Sequence, residues 1–452
     1  MKDNKATIIL TSYNRLNELI DTLKGLENVE GIANILIVDN GSQDSTSQWL
    51  AMQSYEYIYF DEGVQGYGKL WNAVLENFET EEYIVFMEAG VYPEKEEILR
   101  LIEALQLKQI GAVSPVTNYF HTDKEKVIQN KEKLGQVAQY YLECPDKNQC
   151  HRVLDINWRM WGISKDTLSK MGYFREEIKS PEDVLVDYSL RLIKCGLSSV
   201  VCYQACAYEE RQFYAEKIYV DAKKWKIEDR KILKDVWGQN YFNVIPNGFL
   251  IEYIEEKKDK EFNVLEVGCD LGATLVEIKN HFPNCKTFGI DINPAAIDVA
   301  KCMNDVRYGN IDELEMPFTE KFDYILFGDV LEHLRHPEEV VRMCHGLLKE
   351  NGYIIASIPN IMHLSVLEEL IDGRFIYKDT GLLDKTHIHF FTYYEIIRLF
   401  VQAGYEIRNM RNITVPLSGR QKEIEAVLLP LSEDTQHWMY ETFQYVIKVQ
   451  KV

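Results

Sequence analysis

Short apolar runs alternate with amphipathic stretches along the first part of the chain. ATIILTS is a β-branched run of the kind that forms a buried parallel strand. RLNELIDTLKGL follows with apolar residues at helical spacing. NILIVDN, YEYIYFDEG and EEYIVFMEAG repeat the strand pattern, with helices predicted over SQDSTSQWLAMQ and LWNAVLENF. This rhythm predicts a mostly parallel sheet covered by helices on both faces. The pattern then changes. YAEKIYVDAKKWKIEDRKILKDVWGQNYF is charged, helix-prone and free of strand signals, and reads as a helical connector. GFLIEYIEEKKDKEF predicts a further helix leading into a second alternating system. That system runs through NVLEVGC, TFGIDI, FDYILFGDV and GYIIASIP, with helices over PAAIDVAKCM, PEEVVRMCHGLL and YYEIIRLFVQAG. Two late strands, YEIRNMRNI and FQYVIKVQKV, complete it. No internal repeat is visible.

Length supports two cores: 452 residues exceed one ordinary domain. A hydrophobic share of 46% is enough apolar material to fill both. The formal net charge of −21 repels phosphate backbones and anionic lipid, so no nucleic-acid partner is expected. An anionic nucleotide ligand would need local cations, backbone N–H groups or a metal. Nine cysteines lack a C-x-x-C pair, which fits a reduced, cytoplasmic setting and no zinc site. No run of about 18 apolar residues predicts a membrane span.

Chemistry enters first in NVLEVGCDLGATL. A strand runs into a glycine-bearing turn, which lets backbone approach a ligand and aims helix N–H groups at it. Asp291 ends the next strand about 20 residues on, where a carboxylate can accept both hydroxyls of a ribose. GNIDELEMPF puts Ile311 and Asp312 where they could flank an adenine. FDYILFGDVLEHL puts Asp329 and Glu332 at the end of a further strand. In this order EVGCDLG, GIDIN, FDYILFGDVLEHL and GLLKENGYIIASIPN resemble the class I S-adenosylmethionine-dependent methyltransferases, over roughly residues 245–452. The resemblance implies a Rossmann-like seven-stranded sheet with an antiparallel closing strand. It places Glu266, Gly268 and Gly272 around the methionine moiety and Asp291, Ile292, Ile311, Asp312 and Asp329 around the rest of the cofactor. Asp270 departs from it, standing where many relatives have glycine. Methyl transfer to a hydroxyl needs alignment and a proton acceptor. His387, in LLDKTHIHFFT, is the candidate base, beside His389 and His363; the alternative is a structural histidine. His333 and His336 are expected to shape the pocket wall or cap the helix starting at Pro337.

TIILTSYNR followed by ILIVDNGSQDST resembles the inverting family 2 glycosyltransferases of the GT-A (nucleotide-diphospho-sugar transferase) fold, over roughly residues 5–215. By that resemblance Thr11, Tyr13, Arg15, Asp39 and Ser42 contact the base and ribose of a nucleotide-diphosphate sugar, and Lys69, in VQGYGKLWNAV, meets its diphosphate. Asp39 also reads as a turn residue, since D-N-G-S is a strong turn string. The family's D-x-D-like acidic pair, which holds Mg²⁺ or Mn²⁺, is reduced here to Glu88 followed by Ala89 and Gly90; Glu88 is the candidate metal and donor ligand, a single carboxylate that with diphosphate oxygens could still hold a loosely bound cation. ACAYEERQ offers Tyr208, Glu209 and Glu210 and no metal histidine. Inversion needs a carboxylate base, and SPEDVLVDYSLRLIKCG supplies Asp183, with Glu182 as the alternate. The competing reading is a helix-dipole acid after Pro181. Asp187 and Arg191 are expected to pair at i,i+4.

The expectation is an α/β chain of two domains, a glycosyltransferase-like domain over 1–215 and a methyltransferase domain over 246–452, with a helical connector at 216–245. The function it implies is bifunctional: a sugar and a methyl group delivered to a glycan or glycoprotein acceptor in surface glycan biosynthesis. The alternative is a glycan O-methyltransferase whose first domain is a non-catalytic nucleotide- or glycan-binding module.

Overall fold

A computed structural model describes residues 5–29, 31–64, 66–118, 150–210, 217–239, 242–431 and 435–452. The chain divides into two compact units, Met1–Ile245 and Pro246–Val452. The expected boundary at 215/216 lies outside the described residues.

The first unit is built on one sheet of nine strands. These are β1 (Ala6–Ser12), β2 (Ala33–Asp39), β3 (Glu56–Tyr59), β4 (Tyr83–Glu88), β5 (Val91–Tyr92), β6 (Ile110–Thr117), β7 (Cys150–Val153), β8 (Met160–Ser164) and β9 (Ser198–Glu209). Their order is β3-β2-β1-β4-β8-β6-β9-β5, with β7 also on β9. β1 to β4 are parallel to one another, whereas β8 runs antiparallel to both β4 and β6. The sheet is therefore mixed beyond β4, not mostly parallel. Both faces are covered. Ile8, Leu10, Val85 and Met87 pack on one side, Ile9, Ile84 and Phe86 on the other, as the two-residue period of a strand requires. Phe86 stacks on Trp161 with ring centroids 4.5 Å apart.

The register fixes what the strand ends present. Ser12 pairs with Asp39, and Thr11 with Glu88. The carboxyl ends of β2, β1 and β4 thus lie side by side, the place where open α/β sheets bind ligands. The helix predicted over SQDSTSQWLAMQ shrinks to Thr46–Leu50. Asp44 accepts the Thr46 N–H and hydroxyl, holding the residues before it in a turn.

The helix Lys217–Trp237 falls within the first unit and packs there. Leu233 is buried in the core face that holds Trp71 and Trp161. Trp237 donates its indole N–H to Asp187 at 2.9 Å. Asp187 also takes Arg191 at 3.0 Å, the expected pair, and Arg175 at 3.3 Å.

The second unit carries a seven-stranded sheet: β10 (Asn263–Val267), β11 (Lys286–Asp291), β12 (Asp305–Tyr308), β13 (Phe322–Gly328), β14 (Leu348–Pro359), β15 (Tyr405–Thr414) and β16 (Thr442–Lys451). The order is β12-β11-β10-β13-β14-β16-β15. β10 to β14 are parallel, and β16 is antiparallel to both β14 and β15. The helix predicted over GFLIEYIEEKKDKEF is only Gly248–Ile251. The buried Lys448 ammonium takes the Tyr253 carbonyl at 3.0 Å and Glu255 at 2.8 Å. The helix end closes on i,i+3 bonds from Tyr253 and Ile254, and the chain turns so that Ile254 and Phe262 enter the core.

Candidate functional site

In the second unit the site begins where β10 ends. Gly268 has φ 72° and Gly272 φ 79°, the left-handed region that favours glycine. A Cβ on Gly268 would meet Val330 Cγ2 at 2.6 Å. Asp270, between them, has φ 45°, so it adopts the conformation usual for glycine at a strain that asparagine and aspartate bear best. Its N–H donates to Asp291 Oδ2 at 2.7 Å, and Asn293 N–H donates to Oδ1 at 2.8 Å. Asp291 is thus oriented by the very turn it faces, with lone pairs left for hydroxyl donors. Glu266 is buried, and its Oε2 has no hydrogen-bond partner. Burial, opposed by a hydrogen bond from Thr274 and reinforced by Asp291 and Asp270, pushes its carboxyl up to about 8. The orphaned oxygen and the Cβ-free turn fit a bound cofactor. Gly272 caps the helix Ala273–His281.

Ile311 is buried, and Ile292 is exposed near the end of β11. The Asp312 carboxylate is engaged by Arg335. Burial would raise it, but Arg335, donating from both its backbone N–H at 2.7 Å and Nε at 2.5 Å, holds it low. Asp329, at φ 55° after β13, accepts from Gln444.

Glu332 is fully buried, and neither carboxylate oxygen has a hydrogen-bond partner. Its backbone carbonyl accepts Ile388 N–H at 2.9 Å and His389 N–H at 3.0 Å, which clamps the His387 loop over it. His387 Nε2 lies 3.9 Å from Glu332 Oε1. His387 Nδ1 donates to the Leu382 carbonyl at 3.2 Å, and His333 Nδ1 to the Thr386 carbonyl at 3.1 Å. In the neutral imidazole these bonds select the tautomer whose Nε2 carries the lone pair. Glu332, His333 and His387 bring one donor atom each within 4.8 Å of one another, the single such cluster among the described residues. A buried carboxylate and two imidazole lone pairs fit a divalent cation. Burial and the neighbouring His333 lower the His387 pKa. His389 instead faces the Arg335 carbonyl at 3.2 Å. His363 caps the helix Leu364–Ile371 by accepting Ser365 N–H at 3.2 Å. His336 occupies the N-cap of Pro337–Leu347, but its side chain makes no cap bond, contrary to one of the two roles expected of it.

In the first unit Asp39 is fully buried; it accepts Ser42 N–H at 2.9 Å and the Ser47 hydroxyl at 2.7 Å. Ser42 Oγ in turn accepts Asn14 N–H at 2.9 Å. Thr11 and Glu88 are buried at the neighbouring strand ends, and Tyr13 is half-buried just beyond. Arg15 donates to the Ala89 carbonyl at 2.7 Å. A Cβ on Gly90 would lie 3.6 Å from Nη1 of Arg15 and from Nη2 of Arg159. Glu209 is buried against Arg159, 3.5 Å away, and Asn157. Lys69 is exposed on the helix Tyr67–Asn77.

Glu182 and Asp183 stand in the first turn of the helix Pro181–Lys194, capped by Ser180. Ser180 Oγ donates to Glu182 at 2.8 Å, which leaves Asp183 Oδ2 buried and unbonded. Burial, then Asp229 and Glu182, push Asp183 up to about 6. Asp155, raised to about 7 by burial and then by Glu182 and Asp183, joins them. Asp155, Asp229 and the clamp on Glu332 were not singled out from sequence. Their partners lie tens of residues away, where no local spacing marks them.

Residues 7–176 match the glycosyl transferase family 2 model, and residues 247–409 match a methyltransferase domain model. Among curated proteins, ubiquinone biosynthesis O-methyltransferases are similar. That of Neisseria meningitidis serogroup C is 24% identical over 210 residues, 42% of this chain and 88% of its own length. Those of Coxiella burnetii are 26% identical over 138 residues, 29% of this chain, which spans 58% of their length. Among solved structures, a SAM-dependent methyltransferase from Archaeoglobus fulgidus is 19% identical with a TM-score of 0.32, over 52% of this chain and 100% of that one. One from Mesorhizobium loti is 14% identical with a TM-score of 0.31, over 43% and 94%. The chain thus joins a region that matches the glycosyl transferase family 2 model to a region that matches the methyltransferase domain model.

Proposed function

We propose that the chain is a bifunctional transferase that adds a sugar from a nucleotide-diphosphate sugar and a methyl group from S-adenosylmethionine to a glycan hydroxyl. The observation that carries it is repeated in both units: a buried or backbone-bound acid, Asp39 or Asp291, stands at the carboxyl end of a central parallel strand beside a tight turn.

In the first unit Asp39, with Thr11, Tyr13, Arg15 and Ser42, receives the nucleoside. The acceptor hydroxyl attacks the anomeric carbon as the bond to diphosphate breaks, and Asp183 takes the proton. A carboxyl raised to about 6 is still ionised near neutrality and is a better proton acceptor than an ordinary aspartate. Glu88 is one carboxylate followed by alanine and glycine; together with the diphosphate oxygens of a donor it would hold a Mg²⁺ or Mn²⁺ that neutralises the leaving group. Arg15 and Arg159 are the chain's own cationic groups beside Gly90.

In the second unit Glu266, Gly268, Gly272, Asp291, Ile292, Ile311 and Asp329 surround the cofactor, and Asp312 supports that wall through Arg335. Bound S-adenosylmethionine supplies an activated methyl group. His387 Nε2, its tautomer set by the Leu382 carbonyl, accepts the proton of the acceptor hydroxyl. A divalent cation held by Glu332, His333 and His387 would acidify a bound hydroxyl in place of a free imidazole base. The named activity of the curated relatives, O-methylation, supports a hydroxyl acceptor.

The reading is tested by incubating the chain with labelled S-adenosylmethionine and a nucleotide-sugar panel over a broad set of glycan acceptors. Both labels should enter product; neither doing so ends the proposal. Methyl transfer without sugar transfer would support the second reading, a binding module in front of a methyltransferase, which Glu88-Ala89-Gly90 favours.

A further inference from the structure

The helix Lys217–Trp237 belongs to neither sheet, yet it reaches the start of the helix that carries Glu182 and Asp183. Asp229 is fully buried. It accepts Lys179 N–H at 3.0 Å on Oδ1 and Ser180 N–H at 2.8 Å on Oδ2. The Lys179 carbonyl accepts Tyr67 N–H at 2.9 Å, the first residue of the donor-side helix Tyr67–Asn77. Gly66 packs so closely there that a Cβ would lie 3.0 Å from Lys179 Cα. One junction, Lys179–Ser180, therefore ties the donor-side helix to the base-bearing helix, and a single carboxylate holds both of its N–H groups. Losing that carboxylate would leave two buried donors unsatisfied, and backbone donors so placed move to find partners. At the same junction, Lys179 Nζ pairs with Glu228 at 2.7 Å, and Lys226 Nζ lies 3.9 Å from Glu182 Oε1.

We infer that Asp229 is a positioning residue for glycosyl transfer, setting the base-bearing helix against the donor-side helix, and that Lys226 on the same helix adjusts the charge around the base. The inference rests on the reading of the first unit as a transferase with Asp183 as base. The charged groups facing Asp183 are Asp229, Lys226 and Arg230 from this helix, Glu182 from its own, and Asp155. Asp229 and Lys226 act on it with opposite sign. Removing an acid stabilises the ionised base and lowers its pKa; removing a cation raises it.

The test measures kcat and KM for sugar transfer against pH in the full chain and in Asp229→Asn and Lys226→Gln. Asp229→Asn should lower kcat roughly tenfold with little change in donor KM, as a misplaced base would. Its acid limb should move to lower pH, and that of Lys226→Gln to higher pH, each by about half a pH unit. The fall in kcat at unchanged donor KM reports the positioning by Asp229, and the opposite shifts report the charges around the base. Asp229→Asn with wild-type kcat and an unmoved limb overturns the inference, as do two limbs moving the same way. If Asp229→Asn does not fold, Lys226→Gln, an exposed change, still decides by the direction of its shift. A wild-type chain inert toward every donor overturns the underlying reading as well.

Discussion

Asp291 joins two backbone N–H groups of the cofactor turn to whatever hydroxyls approach it, so its loss acts twice. Asp291→Ala should weaken S-adenosylhomocysteine binding roughly 100-fold, the equivalent of about two charge-assisted hydrogen bonds. Titration calorimetry measures it directly. Glu266 sets a pH dependence. Its folded-state pKa, about 8, lies above that of the unfolded chain, so the native state holds a proton the unfolded state releases. The stability it confers is complete below the ordinary carboxylate range and is lost as pH rises toward 8, at about 1.4 kcal/mol per unit. Thermal melts of the second unit should therefore fall over that window, and Glu266→Gln should flatten the fall. Both residues were singled out in sequence because each stands at the end of its own short strand string, Glu266 in NVLEVGC and Asp291 in TFGIDI. Glu332 with His387 was not. The two are separated by more than fifty positions, and only the backbone bonds from Ile388 and His389 bring them together.

At the scale of elements, the strands of β1 to β4 and most of the second sheet were read from short β-branched runs, while β5 to β9 were not predicted. Helix ends were read less well. Gly248–Ile251 stops early, its last carbonyls taken by the tighter i,i+3 bonds of Tyr253 and Ile254, while Lys448 donates to the Tyr253 carbonyl just beyond. The stretch expected to connect the domains carries Asp229, Leu233 and Trp237 into the first unit; its charged composition hid three inward-facing positions. The turn after β10 makes the sharpest element-level prediction. Gly268→Ala adds a Cβ 2.6 Å from Val330 at φ 72°. It should cost about 1–3 kcal/mol in denaturant unfolding and weaken cofactor binding, because Val330 must move for the turn to survive.

At the scale of the molecule, each unit has its own sheet and its own buried faces on both sides of it. Residues 246–452 produced alone should therefore fold and be stabilised by S-adenosylhomocysteine, raising the melting temperature as a ligand of the native state must. A failure of that fragment to melt cooperatively would mean that the first unit is needed to complete it. The two families were legible because each motif string is local, whereas β6 to β9, whose partners lie far along the chain and alternate in direction, were not. One feature of the second sheet reaches beyond the finished protein. β16 lies between β14 and β15 and is bonded along both edges. While the ribosome is still translating, those two neighbours must wait with open edges until residues 442–451 emerge. A premature stop upstream of Thr442 would make that wait permanent, leaving a nearly complete domain with two sticky borders for chaperones to cover or aggregates to claim.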